Sequence, residues 1–126
     1  MNQYWGLVKA LIVLGVSDAL YLSTYGDNFV KMITKIQGSQ MKVRIPPALL
    51  VYVFIFGAWG YFIYNVRHRY SVKENVLRGF ILGLTTYGIY DFTNMAIIKG
   101  WELRNALVDT LWGGILYAFV TFVAVV

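Results

Sequence analysis

Apolar residues fill this chain in four long runs, and most of its lysines and arginines fall in the three stretches between them. The runs extend over residues 4–24, 47–65, 79–98 and 105–126. Each approaches the roughly 20 mainly apolar residues that a helix needs to cross a bilayer. The pattern predicts an all-α, integral membrane four-helix bundle. Pro46 and Pro47 suit the first turn of the second helix, where a missing amide costs nothing. Gly100 punctuates the end of the third run. Tyr4, Trp5, Tyr25, Tyr64, Tyr70 and Trp101 fall at expected boundaries, where amphipathic rings prefer to sit.

The first connection has a pattern of its own. Phe29, Met32, Ile33 and Ile36 recur at helical spacing, Lys31 and Lys35 fall on another face, and Asp27 and Gly38 suit the two caps. This predicts a short amphipathic helix lying in the membrane interface between spans one and two. A packed lid explains it more simply than a gate or a lipid contact.

Composition points the same way. The chain has 126 residues, 59% of them hydrophobic and only 13% charged, whereas soluble domains carry about 25% charged residues. A single transmembrane domain over residues 1–126 is expected, multi-pass, in a membrane the sequence does not specify. The first run is not expected to be a cleaved signal, because Asp18 lies within it and no small-residue cleavage site follows. The net charge of +5 flanks the spans and is not interleaved with aromatic residues, so no nucleic-acid partner is expected. Counting cations by side tips slightly toward termini on the outside. There is no cysteine and one histidine, His68. Thiolate, zinc and haem chemistry therefore have no ligand set, and no cofactor is expected.

Three aspartates fall inside spans, and their positions along the chain converge. Asp18 and Asp91 each lie about two turns before the end of spans that run in the same direction. Asp109 lies about one turn into the span that returns. All three should share one depth, which span two reaches near Tyr52. Gly83, Tyr87, Asp91 and Asn94 fall on one stripe of span three, and Asp109, Trp112 and Gly113 on one stripe of span four. The glycines would let helix backbones approach closely, and Gly79 with Gly83 has the spacing used for helix pairing.

An ionised carboxylate at the bilayer centre costs about 2.5–3.5 kcal/mol on insertion scales. These groups must face inward, where they find donors, hold a cation or take a proton. Asp18, Asp91, Asn94, Asp109, Tyr52, Tyr87 and Trp112 are the candidate proton-relay or ligand-binding set. Asp18, Asp91 and Asp109 would be the ligands if a hard cation binds. The structural alternative is a hydrogen-bonded clasp between spans. Interhelical polar bonds average only about 0.6 kcal/mol in one membrane system, so three aspartates are a costly way to make one.

The runs Tyr90-Asp91-Phe92-Thr93-Asn94, Lys99-Gly100-Trp101 and Asp109-Thr110-Leu111-Trp112-Gly113 resemble a family of small predicted membrane proteins, the domain of unknown function numbered two-one-seven-seven. Asp18-Ala19-Leu20 and Pro47-Ala48-Leu49-Leu50 with Tyr52 resemble its first- and second-span motifs. The resemblance implies four spans and one shared motif set, but no activity. The more basic second connection departs from the family pattern.

Function is expected to be proton or cation conduction, or ion-coupled transport, by a homo-oligomer surrounded by membrane lipid. Alternatives are a membrane enzyme of isomerase or cyclase type acting on a lipid or isoprenoid, and an assembly protein whose polar groups only specify helix pairing. No catalytic residue is assigned.

Overall fold

The computed structural model describes residues 4–126. It is all-helical: α1 covers Trp5–Gln37, α2 Ile45–Phe62, α3 Val72–Ile97 and α4 Leu103–Val125, with a 3-10 turn at Tyr64–Arg69 between α2 and α3. Three segments are long and apolar enough to cross a membrane: α1, α4, and α2 continued through the 3-10 turn. Helix α3 has the length, at 26 residues, but carries Lys73, Glu74 and Arg78 in its first two turns.

Helix α4 is the centre of the bundle. Ten of its residues are buried, against two on α2. Its closest partner is α3, through glycine. A Cβ on Gly83 would fall inside the Gly113 carbonyl, and one on Gly114 would come within 2.7 Å of the Phe80 ring. The Gly79–Gly83 spacing therefore serves packing within the chain. Helix α2 leans on α4 through Trp59, which is fully buried and donates its indole N–H to Thr121 Oγ1 at 2.9 Å.

The amphipathic segment of the first connection is helical, as its spacing predicted, but it continues α1 without a break. At about 1.5 Å per residue, the 33 residues of α1 span about 50 Å, well beyond a hydrocarbon core of about 30 Å. Tertiary contacts hold the extension. Met32 is buried with Trp101 and Ala106, and Phe29, Ile33, Ile36 and Ile98 pack around them. Asp27 therefore lies mid-helix. The C-cap is Gly38, in the left-handed region at φ 72°, whose amide bonds Thr34 O.

Helix α3 begins seven residues before the expected start of its span. Ser71 and Glu74 form a reciprocal capping box: each accepts from the other's backbone amide, at 3.1 and 3.0 Å. The backbone amide of Ser71, and then its hydroxyl, hold the Glu74 carboxyl below its ordinary value. Both prolines do sit in the first turn of α2.

The outward faces are mainly apolar along the middle of the bundle. Leu11, Val53, Phe54, Ile89, Ile97 and Leu107 are all more than half exposed. A contiguous apolar surface of this kind is suited to lipid rather than water.

Candidate functional site

Helices α1 and α4 run antiparallel in one register, and that register builds the polar site. As the α1 position rises by a turn, its partner falls by a turn along α4 and into the connection that precedes it. Asp18 meets Trp112, Tyr21 meets Asp109, Tyr25 meets Asn105 and Phe29 meets Trp101. Every rung pairs a polar or aromatic group with a complementary one.

Asp18 is buried and fully served. Tyr52 donates its hydroxyl to Oδ2, and the Trp112 indole donates to Oδ1 at 3.3 Å. One carboxylate thus ties α1 to both α2 and α4. Asp109 is also buried and accepts from the Tyr21 hydroxyl at 3.0 Å. The Tyr21 ring stacks on Trp112 at 4.7 Å with its plane 3° away, which joins the two rungs into one layer.

Asp91 differs from both. It is fully enclosed, at 0% exposure, and neither carboxylate oxygen has a hydrogen-bond partner. Its neighbours are the Asp109 carboxyl and the Trp101 indole. Trp101 is buried too, its Nε1 without a partner, and its ring meets Tyr90 edge-on at 6.0 Å. A buried carboxyl beside a second carboxyl is an expensive arrangement, because neither can offset the other's charge.

The remaining expected residues divide. Tyr87 lies against the Gly113 backbone, with Asp18, Asp109 and Tyr52 around it. Asn94 is half-buried, one turn after Tyr90 on α3. Among the described residues it bonds none of the aspartates. No three acidic or histidine side chains among the described residues are grouped to hold a metal ion. The arrangement is a pair, Asp91 with Asp109, and a separately held Asp18.

Two groups carry more of the site than the sequence indicated. Trp101 is a buried neighbour of Asp91 and not only a boundary aromatic. Asn105 was not singled out at all. It accepts from Tyr25 at 2.7 Å, and its amide reaches Asn28 O and Glu102 Oε1. Its signal was present: it stands one turn before Asp109 on the same face of α4, and Tyr25 stands one turn after Tyr21 on α1.

Two shallow grooves of about 570 and 580 Å³ open on the outer surface, one on α3 around Thr85 and Thr93 and one between α1 and α2. None of the three aspartates lines either groove.

The family model described as a predicted membrane protein family (DUF2177) matches residues 4–126. No curated protein and no solved structure matches the chain.

Proposed function

The chain belongs to that predicted membrane protein family, and from this premise we propose that it is a four-span protein that carries a proton through its buried carboxylates. The single observation behind the proposal is Asp91, fully buried with a second carboxyl, Asp109, beside it. Lipid-depth carboxyls are tolerated where they take and release protons. One proton shared between Asp91 and Asp109 removes the like-charge repulsion between them. The Tyr21 hydroxyl on Asp109 is the next group able to exchange that proton.

Helix α3 crosses as the fourth span in this reading. Its seam of glycines against α4 supports that, since Gly83 and Gly113 leave no room for a side chain between the two backbones. A bundle this slim encloses no wide pore, so conduction is assigned to a homo-oligomer.

Asp18 favours a second, structural role. Both its oxygens are bonded across helix interfaces, which is what a clasp requires. The lipid-enzyme alternative draws no comparable support, since neither groove reaches the carboxylates.

The test is flux in proteoliposomes loaded with a pH-sensitive dye, under a potassium diffusion potential of either sign. Wild type should move protons, and Asp91→Asn should fall to the level of empty liposomes. A flux rising faster than linearly with protein density would place the path in an oligomer. Absence of proton flux in wild type under both polarities overturns the proposal; sodium- and calcium-sensitive dyes then decide whether a cation moves instead.

A further inference from the structure

Helices α1 and α2 meet at one end of the bundle through Asp18 and Tyr52. Toward the other end the seam between them is open. There lies the groove of about 580 Å³, whose lining includes Leu7, Phe56, Gly57, Gly60, Asn65 and Arg67. A Cβ added at Gly57 or Gly60 would touch nothing within 4 Å, so the glycines leave open space. Only Ile55 and Trp59 of α2 are buried. The seam is therefore a strip of apolar surface that no part of the chain covers among the described residues.

Its two ends differ in chemistry. Leu7, Phe56, Gly57 and Gly60, with the rings of Tyr4, Tyr61 and Tyr64, make its largely apolar lining. Asn65 and Arg67 on the 3-10 turn add polar groups at one end. Arg67 is held in place: its guanidinium lies 3.7 Å above the centre of the Tyr64 ring and donates to Tyr64 O at 2.8 Å. The Arg67 carbonyl is itself fixed by the amide of buried Asn75 at 2.9 Å. Between Tyr64 and Arg78 the chain has Arg67, Arg69, Lys73 and Arg78 against a single acid, Glu74. An apolar trough that ends at a positioned guanidinium matches a molecule with a hydrocarbon tail and an anionic head.

We infer that the α1–α2 groove is a binding site for one anionic phospholipid, its acyl chain along Leu7, Phe56, Gly57 and Gly60 and its phosphate at Arg67. The lipid completes the packing of α2 onto α1 where side chains do not. This site uses none of the buried carboxylates and stands apart from the proton proposal.

Native mass spectrometry tests it, on protein purified with an equal mixture of phosphatidylglycerol and phosphatidylcholine of matched chains. Wild type should retain one lipid, with the anionic one preferred roughly fivefold, as expected for a single basic group at the membrane surface. Gly60→Leu fills the trough and raises helix propensity, so it should remove the bound lipid while leaving the helical circular dichroism intact; Gly57→Leu serves as the second variant. Arg67→Gln should keep a lipid but lose the headgroup preference, and Arg67→Lys should retain it. Equal retention of both lipids by wild type, or undiminished retention in both leucine variants, overturns the inference. A lipid-free dimer that Gly60→Leu splits into monomers would overturn it too, assigning the groove to a second copy.

Discussion

Asp18, Asp109 and Asp91 are the same residue type, all buried, yet their hydrogen bonds differ. Asp18 takes one hydrogen bond on each oxygen, Asp109 takes one from Tyr21, and Asp91 takes none. The cause is which helix each donor stands on. Tyr21 and Tyr52 project from α1 and α2, whereas Asp91 is enclosed on α3 beside α4. Replacement should therefore act in opposite directions. Asp91→Asn removes an uncompensated acid and should leave stability unchanged or raised. Asp18→Ala strands Tyr52 and Trp112 and should cost about 1–3 kcal/mol. Equilibrium unfolding of the two variants in the same mixed micelles measures both. A large loss in Asp91→Asn would make that carboxyl structural and remove the main support for a proton role.

At the scale of elements, the bundle rests on two antiparallel seams that share α4. The α3 seam is made of absences: Gly83 and Gly113 let the backbones approach until any side chain would collide. Gly83→Ala puts a methyl group into the Gly113 carbonyl, and backbone cannot step aside as a side chain can. It should cost at least about 2 kcal/mol, at the upper end of ordinary overpacking. Gly15→Ala, whose Cβ would meet nothing, should be neutral or slightly stabilising. Equal effects of the two substitutions on unfolding would show that the seam is looser than described. The α1 seam works instead by matched rungs, which also explains why α1 does not break. Tyr25, Phe29 and Met32 are tied to Asn105, Trp101 and Glu102 across the expected break. The capping box on α3 was legible as Ser71-x-x-Glu74. It lies before the apolar run, because a helix can start in water before it enters lipid.

For the whole molecule, the proposed four-span arrangement would place the residue 39 and residue 99 turns on one side of the membrane and the residue 68 turn on the other. The chain has no native cysteine, so single substitutions report cleanly. Ser39→Cys and Lys99→Cys, both at exposed positions, should react with an impermeant maleimide from one side of oriented vesicles. His68→Cys, also exposed, should react only from the other. Labelling of all three from one side would mean that neither α2 nor α3 crosses.

The sequence alone indicated an all-helical chain with apolar outward faces, and it predicted one level for Asp18, Asp91, Asp109 and Tyr52. Those follow from residue counts and from the fixed rise and turn of a helix. It did not determine that α4 lies at the centre, that α1 runs on as one helix, or that Asp91 comes to lie against Asp109 and Trp101. Periodicity fixes where a side chain points around its own axis, but not how two helices are rotated and spaced against each other. That choice was made by contacts distant in sequence: Gly83 on Gly113, Tyr21 on Asp109, and Trp101 folded back between Phe29 and Asp91.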